Sequence, residues 1–128
     1  MDGERIIRRG EIYYADLPDE EVGSVQAGVR PVLITQCNRL NRNSPTVLVA
    51  MVTSKLKKPN DEVHVVLPMV KGLPRKSMVM AEQRKTIAKS QLLEYRCTLD
   101  DETMKKVTRA LRLSEKADKK QSYKKKTG

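Results

Sequence analysis

The sequence predicts a mainly β fold, a small barrel followed by one C-terminal helix. Three observations carry that expectation. Short apolar and β-branched runs recur along most of the chain between turn-forming residues. A helical apolar period appears once, near the C-terminus. The length, 128 residues, suits one domain with a modest core of its own.

Taken in order, Met1 to Arg9 mixes charges, with only Ile6 and Ile7 strongly apolar after Met1. It reads as an arm, loosely ordered until Arg9-Gly10 begins the domain. Glu11-Ile-Tyr-Tyr-Ala-Asp-Leu17 has the composition of a strand. Pro18 turns the chain away, and the polar, Gly-containing stretch to Gly28 reads as a long surface loop, of a length often functional in small domains. Pro31 to Gln36 and Thr46 to Thr53 are apolar runs separated by Asn43-Ser44-Pro45, consistent with strands covered on both faces. Lys57-Lys58-Pro59-Asn60 is a turn. Glu62-Val-His-Val-Val-Leu67 then nearly alternates, setting Glu62 and His64 on one face and Val63 and Val65 on the other. That strand is expected to be half exposed, with His64 facing the surface. Gly72-Leu73-Pro74 turns again, and Ser77 to Ala81 and Gln83 to Ile87 suggest one or two more strands. Six short strands point to a small barrel.

The last element has a different period. Met104, Val107 and Leu111 recur at i, i+3 and i+7, which places them on one helical face running to Ser114. Thr98 or Asp100 can cap its start, acids cluster in the first turn, and basic residues gather later, as the helix dipole prefers. Beyond Ser114 the chain is Lys-rich with little to bury, and reads as disordered. The expected division is therefore an arm over 1–8, a domain over 9–114 and a tail over 115–128.

The 26 Lys and Arg outnumber the 16 Asp and Glu, giving a formal charge of +10. The tail, with six lysines and two acids from Glu115 onward, holds +4 of it, so the body is basic without its tail. Such an excess draws a chain toward polyanions, nucleic acid first. There is no Trp, no Phe and only four Tyr, which argues against binders that stack successive bases on aromatic platforms. Contacts to nucleic acid must lean on Arg, Lys and polar groups. Cys37 belongs to an apolar run and Cys97 sits just before the helix; both read as reduced core residues of a cytosolic chain. No N-terminal signal pattern is visible, and the longest apolar run, Val47 to Val52, falls far short of the ~18 residues of a membrane span. A soluble, cytoplasmic protein is expected.

Gly23 and Gly28 have the G-x-x-x-x-G spacing of a phosphate-cradling loop. The next residues, Val29-Arg30, replace the Lys-Ser/Thr pair such a loop needs, and a strand follows where a helix N-terminus should meet the anion. Arg30 must answer to something else. With a single His, nuclease chemistry built on paired imidazoles is excluded, as is a His-rich metal cluster. No Asp-x-Asp pattern ends a strand to hold two metals. A metal-free route exists for RNA: its 2′-OH attacks the adjacent phosphorus, and the protein handles two protons and the charge building on the phosphorane oxygens. Candidates for that work are Ser24 in the loop, Arg30 at its end and Thr53 where the longest apolar strand runs out. Each alone is commonly a structural or surface residue.

Together the residues become more specific. Arg9-Gly-Glu-Ile-Tyr-Tyr-Ala-Asp-Leu17, Val22-Gly-Ser-Val-Gln-Ala-Gly-Val-Arg-Pro-Val-Leu-Ile34, Asn43-Ser-Pro-Thr46, Val49-Ala-Met-Val-Thr53 and Ser77-Met-Val-Met-Ala-Glu-Gln-Arg-Lys-Thr-Ile87 resemble the MazF/PemK (Kid, EndoA) family of toxin endoribonucleases. The likeness runs from about Arg8 to Ser114. It implies an SH3-like barrel with a terminal helix, of the CcdB/MazF/PemK type, and a homodimer. It also implies metal-independent cleavage of single-stranded mRNA at a short sequence, leaving 2′,3′-cyclic phosphate and 5′-OH ends, and neutralisation by a cognate MazE-type antitoxin with an acidic segment that folds on binding. No cofactor is implied. Carried over by position, Arg30 and Thr53 match the family's catalytic arginine and threonine, and Ser24 its active-site loop serine. Gly23, Val25, Gln26 and Gly28 fall in the RNA-binding loop. A guanidinium rarely releases its proton, so the resemblance is read as Arg30 stabilising the phosphorane first and donating a proton to the leaving 5′-oxygen second.

Two features depart from the family pattern: Val25 stands where several relatives carry an acid, and Asp19-Glu20-Glu21 would repel phosphate unless turned outward. Both bear on base preference more than on chemistry. Two rival readings are a non-catalytic SH3-like module that binds nucleic acid by charge, and a CcdB-type gyrase poison. The latter depends on a terminal Trp-Gly-Ile, and this chain ends Tyr-Lys-Lys-Lys-Thr-Gly.

Overall fold

The computed structural model describes residues 6–18 and 28–116. Six strands are present: β1 (Glu11–Leu17), β2 (Gly28–Ile34), β3 (Thr46–Thr53), β4 (His64–Val66), β5 (Met78–Ala88) and β6 (Leu92–Thr98). Two α-helices, α1 (Asn38–Asn43) and α2 (Asp101–Ser114), and a short 3-10 turn over Lys89–Gln91 complete the described elements. All strand pairs are antiparallel, in the order β4-β5-β3-β2-β1-β6. The expected mainly β fold with its C-terminal helix is present. Its sheet is open among the described residues, because three-residue β4 pairs only with β5 and β6 only with β1.

Strand alternation sorts the apolar side chains into two cores. Ile12, Leu33, Ala50, Val52 and Val79 point to one face, where α2 lays Met104, Val107 and Ala110 against them. Tyr13, Ala15, Val32, Ile34, Val49 and Met51 point to the other. Both sets are nearly or fully buried, so the central strands read as unbroken apolar runs. Ile7 joins the second core, so packing starts before the expected boundary at Arg9. The backbone of Arg8 and the hydroxyl of Tyr13 both donate to the buried Glu11 carboxylate, at 2.9 and 2.8 Å, which fastens this entry segment.

The helix follows its sequence signals: Asp100 is the cap, its carboxylate accepting from the Thr103 amide at 2.8 Å, and Met104 and Val107 are buried with Leu111 packed beside them. Elsewhere the elements differ from expectation. β2 starts at Gly28, because Val29 and Arg30 already pair with Asp16 and Ala15. Of the one or two strands expected after Ser77, one is present, with an irregularity in the middle. β6 was not anticipated; it is an edge strand with Leu93 and Tyr95 partly exposed, so no clean alternation marks it. Helix α1 was not anticipated either. Its one buried residue is Asn41, held by hydrogen bonds to Gln36 and Asn38 rather than by an apolar face. Both cysteines are free, but Cys37 is exposed rather than in the core, because β2 ends at Ile34 and Cys37 begins α1. The expected tail beyond Lys116 and residues 19–27 of the expected loop lie outside the described residues.

Candidate active site

β2 and β3 pair in a register that sets Val32 opposite Met51, Leu33 opposite Ala50 and Ile34 opposite Val49. Continuing it by two residues sets Arg30 across from Thr53, on the face that carries Val32 and Met51. Arg30 is exposed and Thr53 half-buried, whereas Val32 and Met51 are buried. The apolar core therefore ends and the polar pair begins within one step along the same two strands. Thr53 also faces Met78 of β5, and Ala15 of β1 stands opposite Arg30. Each is thus held by the strand on its other side, just past the last β2–β3 pair, Val32–Met51.

Arg30 and Thr53 open into a cavity of about 540 Å³. Among the described residues, Arg30, Lys55, Lys57, Lys58 and Arg75 stand around it, against one carboxylate, Glu82. That imbalance suits a polyanion and would repel a free divalent cation. Among the described residues, no three His, Cys, Asp or Glu side chains converge to hold a metal. The Thr53 hydroxyl accepts a hydrogen bond from the Lys55 amide at 3.0 Å, which orients its oxygen and leaves its proton to donate.

Two backbone features shape the cavity. Gly72 has φ +107°, and a Cβ there would lie 2.1 Å from the Arg96 carbonyl oxygen; only glycine fits this turn, which carries Leu73, Pro74 and Arg75 to the rim. On β5, the pairing with β3 jumps from Ala50–Arg84 to Met51–Met80, leaving Ala81, Glu82 and Gln83 outside that ladder. The Ala81 amide instead donates to Val63, at 2.9 Å, and Glu82 and Gln83 line the cavity. An interrupted ladder that re-aims side chains is a usual device beside functional sites.

Of the predicted site residues, Arg30 and Thr53 are brought together. Gly28 opens β2 with φ +94° and open space where a Cβ would be, so the backbone angle favours glycine there. Ser24, Gly23, Val25 and Gln26 lie outside the described residues. His64 was expected to face the surface; its side chain is only 8% exposed and lines the same cavity. The cavity also recruits Lys55, Arg75 and Glu82, which sequence reasoning did not single out, and the Lys57-Lys58 pair, read only as a turn. A dibasic turn directly after the strand that ends in Thr53 was the available signal.

The family model for PemK-like, MazF-like toxins of type II toxin-antitoxin systems matches residues 8–114. Endoribonuclease EndoA of Bacillus subtilis (strain 168) is 44% identical over 110 residues, covering 85% of this chain and 94% of that protein. The fold is shared with MazF from Deinococcus radiodurans, at 20% identity, TM-score 0.73 and coverage of 86% of this chain and 96% of that one. It is shared too with a mycobacterial endoribonuclease solved in complex with its cognate antitoxin, at 24% identity, TM-score 0.69 and coverage of 84% and 93%.

Proposed function

The chain belongs to the PemK-like, MazF-like toxin family of type II toxin-antitoxin systems, and from that membership we propose that it is a sequence-specific, metal-independent endoribonuclease acting on single-stranded mRNA. The observation that supports the reading is that Arg30 and Thr53, one alternation step past the last β2–β3 pair, line the same cationic cavity. In the reaction, the 2′-oxygen bonds to the adjacent phosphorus as its proton leaves, and the bond from phosphorus to the 5′-oxygen breaks. That oxygen takes up a proton, giving a 2′,3′-cyclic phosphate and a 5′-OH. The Arg30 guanidinium stabilises the phosphorane oxygens, where donors aimed at developing charge contribute most. Thr53 donates its hydroxyl proton to the same phosphate. Ser24, Gly23, Val25 and Gln26 are assigned to the RNA-binding loop with Gly28, and Ser24 to the active site, by their family positions.

The same reading makes the toxin a cytoplasmic homodimer neutralised by a MazE-type antitoxin, whose acidic segment occupies the cationic cavity and folds on binding. Among the described residues no helix is long and apolar enough to cross a membrane. Residues 9–114 form the toxin unit, and the chain past Ser114 is dispensable for cutting; loss of activity on truncation after Ser114 would contradict that.

The test is incubation of purified protein with a long single-stranded RNA in EDTA, with mapping of new 5′ ends. Cuts at one short motif, abolished by Arg30→Ala, are expected. Intact RNA after incubation with the wild-type protein would sink the reading in favour of a non-catalytic binder, whose affinity falls steeply with salt. Replacing Gln26 is expected to change the motif or weaken binding.

A further inference from the structure

His64 begins β4, and each of its ring nitrogens faces an oxygen. Nδ1 lies 2.8 Å from the Lys58 carbonyl oxygen and Nε2 lies 3.0 Å from a Glu82 carboxylate oxygen. Neither partner has a proton to give when the carboxylate is ionised. A neutral imidazole carries one N–H and would leave its other lone pair against an acceptor; only the imidazolium satisfies both contacts. The His64 side chain is 8% exposed within a half-buried residue, so these two protein oxygens are its principal partners.

The Lys58 carbonyl belongs to a constrained turn. Lys58 adopts φ +50°, a left-handed conformation unusual for a residue with a side chain, and Pro59 follows it. Conformations of this kind persist where surrounding contacts hold them. Further hydrogen bonds run from the Asp61 amide to the Lys58 carbonyl and from the Val63 amide to the Asp61 carboxylate, both at 3.1 Å. This β3–β4 loop brings Lys55, Lys57 and Lys58 to the cavity beside Thr53. Glu82, the opposite anchor, sits in the interrupted part of β5.

We propose that His64 is a positioning residue whose imidazolium latches the β3–β4 loop to β5, so that the lysine rim of the cavity is held in place for single-stranded RNA only while His64 is protonated. The proposal rests on reading the cavity as the RNA site. Among the described residues, Glu82 on β5 and Asp61 on the loop are the carboxylates acting on the ring, while Arg30, Arg75, Lys55, Lys57 and Lys58 stand around the same cavity. Burial is the largest single influence on the ring and opposes its charge, but the bonds to Glu82 and to the Lys58 carbonyl, with the fields of Glu82 and Asp61, together raise its pKa above the ordinary 6.5. The latch is therefore complete below 6.5 and opens as pH climbs through the higher folded value. The thiol of Cys97, raised above its ordinary 9.0 by burial, titrates at higher pH.

His64 is the single histidine of the chain, so its ring resonances need no assignment. The experiment is an NMR titration of the full-length protein labelled at histidine, paired with the affinity of a single-stranded RNA made uncleavable by 2′-O-methylation. Expected are two protonated ring nitrogens below the midpoint, a midpoint above 6.5 that Glu82→Gln lowers, and RNA affinity that falls about tenfold as pH rises through that midpoint. With cleavable RNA, His64→Gln is expected to raise KM about tenfold, leave kcat within about twofold and flatten the pH dependence of KM. A neutral ring with a midpoint at or below 6.5, a midpoint indifferent to Glu82→Gln, or wild-type RNA affinity constant across the midpoint would each overturn the latch. Should wild-type protein leave RNA uncut, the nuclease reading fails while the midpoint and the affinity still judge the latch. Should it cut RNA with pH-independent affinity, the latch fails alone.

Discussion

Val32 with Met51 and Arg30 with Thr53 are successive positions on the same two strands and the same face, yet they do opposite things. The first pair is buried in a core shared with Tyr13, Ala15 and Val49. The second stands one step outward, where β2 leaves its pairing with β3 and the side chains meet a cationic cavity. The comparison teaches that the site is an extension of the core's register. Closely packed side chains fix where the backbone lies, and the backbone then sets the polar pair to a fraction of the error a free loop would allow.

Substitutions that break one pair and spare the other test this directly. The largest effect is expected from Arg30→Ala, a loss of about 10²- to 10³-fold or more in RNA cleavage, with unfolding free energy within about 0.5 kcal/mol of wild type because the side chain is exposed. The reverse pattern is expected for Met51→Ala. It removes a buried side chain that also backs the cavity wall and costs about 2–5 kcal/mol in denaturant unfolding, while the cleavage rate per folded molecule falls less than for Arg30→Ala. If Arg30→Ala unfolded the protein, or Met51→Ala removed cleavage without a stability cost, the division between the two pairs would be wrong.

Thr53→Val sharpens the comparison, since it keeps the shape and removes the hydroxyl. A fall of about tenfold in kcat is expected, with KM little changed. The smallest effect should come from Asp100→Ala, on the α2 side of the other core. It removes the carboxylate that accepts from the Thr103 amide, so the thermal midpoint drops at neutral pH and cleavage is untouched. That amide bond is the main reason the Asp100 pKa lies below its ordinary 3.8. Its contribution is therefore present above 3.8 and fades as pH falls through the lower folded value, so wild type and variant should converge in acid.

Parts of this architecture were legible in the sequence because one local rule governed them. β1 and β3 match the expected runs Glu11–Leu17 and Thr46–Thr53, and α2 ends at Ser114 after a helical period of Met104, Val107 and Leu111. Arg30 and Thr53 were legible as candidates, though their juxtaposition depends on a register between strands that no local pattern encodes. What stayed hidden depended on distant partners. Glu82 interrupts an apolar run and left one strand or two open, whereas the structure carries β5 through it and turns the interruption toward the cavity. His64 obeyed the alternation rule and still came to lie inside, because Glu82 and the Lys58 turn cover a face that local patterning marks as solvent. Helix α1 was missed since amide hydrogen bonds, and no apolar stripe, anchor it.

The most direct test of the central claim, that Arg30 and Thr53 act as one unit on one phosphate, is a double-mutant cycle on kcat/KM with a single defined RNA. The account predicts strong non-additivity: Arg30→Ala with Thr53→Val should cleave about as slowly as Arg30→Ala alone. Losses that simply multiply would mean the two side chains serve separate steps or separate places, and would contradict it.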